Sequence, residues 1–437
     1  MKYLFVLVVV VIMSDYNTEG KSYFIDFFLL LLMGIMALLN FNKINVIISK
    51  KRDFFFYSFL LFFVLLNISY LRTNNSGNNI AYSISKILIF IFFILATISF
   101  LIDVEKTNKN VNFKTSNNTF FYYIIVLPIA YVLVNFLFKL YSIDIFNFIK
   151  MSPTLGRSET LFSFTGIELA RLPFPLSNGI NNFASFLGGV ILISLSFLFT
   201  TNNKKFKVFA LLVSIISIPG LILLDTRSSY IAIFLISLST LLLKDSKHLK
   251  ISALLIWIVG LLPVILVLTN FLLENPEFLS FLSREGEDAG TGNNRNIIWG
   301  YCINELFNFK FIHLFGYGEY GQVGSRVSDF WAQDFSVYLN SKYTSTHNTI
   351  LQLIFDVGYI GAIIYYSLLI SASKCIYTMY KITENRNLII FQNFLLYLAF
   401  VGGSEATNTH KSTFFLLIYI LICLFYYKTR LVSLKLM

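Results

Sequence analysis

The sequence predicts an all-α, polytopic integral membrane protein, and three observations carry that prediction. Apolar residues make up 56% of the chain against 13% charged ones, more apolar surface than a water-soluble fold can hide. Apolar runs of membrane-crossing length recur from end to end. Lys and Arg gather in alternate connections between those runs, the charge bias that orients membrane helices.

A helix satisfies its own backbone in lipid, so each run is read as one. About twelve are present. They are Tyr3 to Met13, Tyr23 to Leu39, Phe54 to Leu71, Ile84 to Ile102, Phe120 to Leu140 and Asn182 to Phe199, then Phe206 to Leu224, Ser228 to Leu243, Ile251 to Leu272, Thr349 to Ser371, Leu388 to Gly403 and Thr413 to Tyr427. The first is short, and Ser14-Asp15 offers no small-residue cleavage site, so it reads as an uncleaved anchor. Together they form one transmembrane domain over 1–437.

The connections set the sidedness. Basic residues cluster at Lys43, Lys50, Lys51 and Arg52; at Lys106, Lys109 and Lys114; at Lys204, Lys205 and Lys207; and at Lys244, Lys247 and Lys250. Lys374, Lys381 and Arg386 follow, then Lys428, Arg430 and Lys435. Placing these on the cytoplasmic side puts both termini inside. Two long extracytoplasmic loops remain, 141–181 and 273–347.

Several function classes fall away. The formal charge of +11 is mostly topogenic lysine facing anionic inner-leaflet lipid, so no nucleic-acid partner is implied. Three Cys, with only Cys302 in an outer loop, cannot build a disulfide framework. No phosphate-binding loop, dinucleotide fingerprint, Cys-x-x-Cys pair or zincin helix occurs, and the His are scattered at 248, 313, 347 and 410. An energy-coupled pump and a metalloenzyme are unsupported, and no cofactor or metal is called for. No repeat of fixed period is visible.

The outer face carries the candidate chemistry. Arg227 lies in Asp225-Thr226-Arg227-Ser228, a turn so short that its guanidinium stays at the membrane surface beside a helix start that Ser228 is placed to cap. It fits an anion site, because the planar fork suits phosphate and a helix N-terminus adds positive potential. It equally fits an ion pair with Asp225 or a snorkelling anchor.

Arg295 precedes Trp299 and an apolar run through Leu306 that suits an amphipathic helix lying flat on the membrane. Its loop holds nine acidic residues against five Lys or Arg, so Arg295 is not part of a generic basic patch. A salt bridge to Glu285, Glu287 or Asp288 is the plain alternative to a substrate contact. Those acids lack the ordered spacing of a calcium loop.

Gly316-Tyr317-Gly318 and Gly321 allow close backbone approach to a substrate, or simply turn the chain. Arg157 and Arg171 in the first outer loop fit steering of an anionic substrate as well as ordinary surface charge. His347 opens a long helix on the outer side, where an imidazole that titrates near neutrality can accept a proton; amphipathic packing is the alternative. Glu405 and His410 in the last outer loop are candidates for a second base or an ion pair.

The order of these elements resembles the O-antigen ligase and polymerase superfamily. The residues that carry the likeness are Arg227, Arg295 with Trp299, Gly316 to Gly318, His347-Asn348, and Gly358 with Gly361, spread over 182–361. The resemblance implies a GT-C-like glycosyltransferase of the bacterial plasma membrane, acting at the outer, periplasmic face on undecaprenyl-pyrophosphate-linked oligosaccharide in lipopolysaccharide or capsule synthesis. It implies Arg227 and Arg295 at the donor pyrophosphate and His347 at the acceptor hydroxyl, with Asn348, Arg157 and Arg171 as further candidates for substrate binding, and a chain-length regulator and a flippase as companion proteins. Polymerases of this kind carry Arg and Gly ten residues apart in outer loops. Here the eleventh residue after Arg157 is Glu168 and after Arg171 is Asn182, so that spacing is absent.

A sugar pyrophosphate is already activated, so positioning, charge stabilisation and one proton transfer suffice. The first reading is a repeat-unit polymerase, and the nearest alternative a ligase moving finished polymer to a lipid A core. A lipid-linked-oligosaccharide flippase is the alternative of another class; it calls for charge within several spans or inverted internal symmetry.

Overall fold

The computed structural model describes residues 2–15, 23–44, 54–71, 80–106, 128–134, 180–260, 265, 295–334 and 345–406, apart from 43, 202, 203 and 225. All their regular structure is helical. Among the described residues, three helices are long and apolar enough to cross a membrane, within Phe183–Thr200, Lys204–Leu224 and Thr349–Lys381, and shorter apolar helices lie at Phe27–Leu39, Ile87–Phe100, Arg227–Leu242 and Leu388–Gly402. The runs 120–140, 251–272 and 413–427 lie wholly or partly outside the described residues, as do residues 141–179, 273–294 and 335–344.

Two helices that are apolar on every side form the centre, as expected when no face meets water or lipid. These are α5 (Ile180–Thr200) and α13 (Leu388–Gly402). Gly188 and Gly189 let Tyr397 and Phe394 of α13 press against α5: an added methyl at Gly188 would stand 2.2 Å from the Tyr397 hydroxyl. That hydroxyl donates to the Ser185 carbonyl at 2.7 Å and lies 3.3 Å from Ser229 Oγ. Ser229 belongs to the first turn of α7 (Arg227–Leu242), which follows α6 (Lys204–Leu224). The start of α7 is thereby fixed against α13.

A peripheral group comprises α1 (Lys2–Asp15), α2 (Tyr23–Leu39), α3 (Phe54–Leu71) and α4 (Ile80–Lys106). Phe5 stacks on Phe100 at 4.4 Å, and Ser99 Oγ donates to the Met36 carbonyl while accepting from Asn40. These buried bonds satisfy polar groups that would be costly if left alone in an apolar setting.

The two ends of the bundle differ chemically. Where α7 ends and α8 (Asp245–Gly260) begins, Asp245 accepts two bonds from Arg386 at 2.9 and 3.2 Å and one from Tyr380 at 3.1 Å. Lys250 and Lys381 both lie over the Tyr377 ring. The basic connections at 244–250 and 374–386, read from charge alternation as sharing a side, do share one. The start of α7, the start of α12 (Thr349–Thr383) and the end of α13 are at the opposite end. Between the ends, Asn393 bonds His248, Ser196 and Thr240, joining four helices through one amide.

Helix α12 departs from its expected boundary. It runs on to Thr383 rather than stopping at Ser371, because nothing breaks it before Glu384, whose φ of 49° ends it. Lys374 and Lys381 therefore sit on helix, not loop. Its N-terminal part is interrupted at Gly358 (φ 78°, ψ 176°). The Phe355 and Asp356 carbonyls there accept instead from Tyr317 N at 2.7 Å and Gly318 N at 3.1 Å. Gly316 to Gly321 thus serve as a turn pressed onto α12. Methyls added at Gly316, Gly321 or Gly358 would fall 2.1 to 2.5 Å from backbone atoms across this contact.

Gly358→Ala is accordingly expected to lower stability by roughly 2 to 4 kcal/mol, from left-handed backbone strain and overpacking together. Thermal unfolding in detergent measures it; an unchanged midpoint would show that the interruption is dispensable.

Candidate functional site

The segment 273–347 supplies α9 (Arg295–Phe307), a 3-10 turn (Phe311–Leu314), and the short helices α10 (Gly321–Gly324) and α11 (Ser328–Asp334). The sequence suggests that α9 lies flat on the membrane. Instead its apolar face, Ile298, Trp299 and Cys302, is buried with Val327, Trp331, Leu351 and Phe355. That packing brings Arg295, at the first turn of α9, over the start of α12.

The strap before α12 is held from several directions. Thr346, fully buried, accepts from Trp299 Nε1 at 2.9 Å and donates its amide to Gln352 Oε1 at 3.1 Å. The Gln352 amide donates to Gln322 at 2.8 Å and to Asp356 at 2.9 Å, and Asp356 also accepts from Gly321 N. Asn348 is the N-cap of α12: its side-chain oxygen accepts from Leu351 N at 2.9 Å, as capping residues do. Its side-chain nitrogen donates to the Gly403 carbonyl, and Thr349 Oγ1 donates to the Glu405 carbonyl, both at 2.9 Å. Fully buried and doubly bonded, Asn348 ties α12 to the end of α13.

Between these anchors His347 takes φ 49°. A left-handed conformation costs a non-glycine residue on the order of 1 to 2 kcal/mol, a strain found most often where function requires it. The turn aims Nδ1 at Glu405 Oε2, 3.3 Å away. The other oxygen of that carboxylate meets Arg295 Nη2 at 2.5 Å. Glu405 is 3% exposed, whereas the side chains of Arg295 and His347 are 21% and 24% exposed.

Burial alone would raise the Glu405 titration. The Arg295 charge, then the hydrogen bond and charge of His347, outweigh it and hold the group below the usual carboxylate range. An ionised Glu405 accepts from Nδ1–H, which leaves Nε2 as the basic nitrogen; the tautomer is inferred from that partner. Nε2 has no hydrogen-bond partner among the described residues. The arrangement can take up one proton at Nε2 while the carboxylate orients the ring and stabilises the imidazolium.

Arg227 stands at the same end, in the first turn of α7. The N-cap of that helix is Thr226, not Ser228, and no side chain caps it, because the helical turn begins one residue earlier than the apolar pattern suggests. Asp225, the partner suggested for Arg227, lies outside the described residues, as do Glu285, Glu287 and Asp288, and Arg157, Arg171 and His410. Among the described residues, no group of three or more His, Cys, Asp or Glu gathers as a metal site.

Sequence reasoning weighed Glu405 only as one of two loop candidates and missed Asp356 and Gln352. Asp356 carried a usable signal, being the one acid within α12, and a lone carboxylate in an apolar helix calls for partners. Gln322 carried none.

No curated protein matches the chain. The family model described as O-antigen ligase matches residues 212–366, a stretch that holds Arg227, Arg295, Gly316 to Gly318, His347 and Gly358, and the likeness to the O-antigen ligase and polymerase superfamily is shown there.

Proposed function

We propose that this membrane protein is a glycosyltransferase that polymerises undecaprenyl-pyrophosphate-linked oligosaccharide repeat units into O-antigen or capsular polysaccharide at the outer face of the bacterial plasma membrane. The observation that supports it most is the Glu405 carboxylate shared by Arg295 and His347, at the end of the bundle opposite the basic connections. His347 Nε2 takes the proton of an acceptor hydroxyl as that oxygen attacks the anomeric carbon. The bond from that carbon to the pyrophosphate breaks, and the lipid pyrophosphate leaves with the electron pair. Arg295 uses one edge of its guanidinium on Glu405 and has N–H donors left for the leaving group, with Arg227 as a second cation.

Reconstitution with defined lipid-linked repeat units tests the reading: ladders of product without lipid A core support polymerisation. The matched family is described as a ligase, which favours the second reading, transfer of finished polymer; an obligatory lipid A core acceptor would move the assignment there. Lys in place of Arg227 or Arg295 keeps the charge but loses the planar fork. Each is expected to lose donor or transition-state stabilisation on the order of 1.5 to 3 kcal/mol, seen in kcat/KM at limiting donor. Parent-like turnover in both variants would remove pyrophosphate recognition from these residues.

A further inference from the structure

The first turn of α7 holds hydroxyls that the fold leaves unused. Thr226, 6% exposed, is the N-cap of a 16-residue helix, yet its side chain makes no capping bond. Its Oγ1 is buried without a hydrogen-bond partner among the described residues, and so is Ser228 Oγ two residues on. Native proteins rarely bury polar atoms unsatisfied, and a hydroxyl at an N-cap has a helix amide within easy reach. Two orphaned hydroxyls flanking Arg227 at the positive end of a helix make a set of donors suited to an anion.

We infer that Thr226 and Ser228 are hydroxyl ligands for a phosphoryl group and that, with the amide end of α7, they bind the anion approached by Arg227. The inference rests on the donor-site reading of Arg227 and extends it to two neutral residues that no motif marks. Each hydroxyl donates its proton to an anionic oxygen, a role that a second guanidinium would fill only with more charge and bulk. Ser229, the next residue along the helix, is turned to Tyr397 instead. Successive helical residues point about 100° apart, so Ser228 and Ser229 meet different neighbours.

Binding to purified full-length protein tests it, with undecaprenyl pyrophosphate in nanodiscs and inorganic pyrophosphate in solution as probes. Thr226→Val and Ser228→Ala are each expected to weaken undecaprenyl pyrophosphate roughly tenfold, the value of one hydrogen bond to a charged group. Thr226→Ser should retain affinity. Thermal stability should hold or rise, because removing an unsatisfied buried hydroxyl relieves its desolvation cost.

Parallel weakening of inorganic pyrophosphate supports a site that reads the phosphoryl group alone; weakening confined to the lipid probe also supports the inference and makes the lipid headgroup the ligand. Unchanged affinity for both probes in both variants overturns it. If Arg227→Gln then weakens binding while the hydroxyl variants do not, the hydroxyl ligands fall and the reading of Arg227 stands. If Arg227→Gln also binds like the parent, the donor-site reading falls with them.

Discussion

His347→Ala is expected to bind lipid-linked donor almost as the parent does and to turn it over roughly 100-fold to 10,000-fold more slowly, the range lost with a general base. The asymmetry follows from position. His347 is held by its neighbours, not by the donor: Thr346 and Asn348 are buried and bonded on either side, and Glu405 takes Nδ1. Removing the imidazole should leave that scaffold and the arginines in place. In a polymerase the variant should accumulate single repeat units on the lipid carrier, whereas in a ligase long carrier-linked polymer should persist. Gel separation of lipid-linked products distinguishes the two. Unchanged turnover would refute His347 as the base in either enzyme.

Glu405→Gln should be nearly as damaging although it changes little in size. A neutral amide can present N–H to His347 Nδ1, which drives the ring proton to Nε2 and blocks proton uptake there; a loss of roughly 100-fold to 10,000-fold in kcat follows. The same change leaves the Arg295 charge without its counter-ion. Arg295 is only partly buried, so screening reduces the penalty to about 1 to 2 kcal/mol of stability.

The pH dependence has a definite sign. The folded-state titration of Glu405 lies below the usual carboxylate range, so its stabilisation is complete above the unfolded value and disappears as pH falls through the lower folded one. Thermal midpoints followed on acidification should show that loss in the parent and not in Glu405→Gln. A variant with parental turnover and the parental acid response would falsify the bridging role.

The bundle was legible because lipid imposes a simple code: apolar length marks helices and lysine marks sides. His347 and Arg295 were legible because their placement, a base at a helix entrance and an Arg before a Trp, survives in linear order. Glu405 was not, because 58 residues separate it from His347 and 110 from Arg295, and nothing local distinguishes it from any loop acid. The interruption at Gly358 was hidden for a related reason. The pair Gly358 and Gly361 entered only as part of the family likeness, because the positive φ at Gly358 depends on a turn about forty residues upstream.

That interruption has a mechanical consequence. The first turns of α12, which follow directly on His347 and the cap Asn348, are cut off from the rest of their own helix and splinted by the turn from Gly316 to Gly321, whose amides replace the helical bonds lost at Phe355 and Asp356. The splint works through backbone spacing, so it does not depend on the side chains of its exposed side. It does depend on length. One residue added or removed would slide the amides off their carbonyls and loosen His347 from Glu405. A one-residue insertion in this loop should therefore be far more damaging than a substitution on its exposed side.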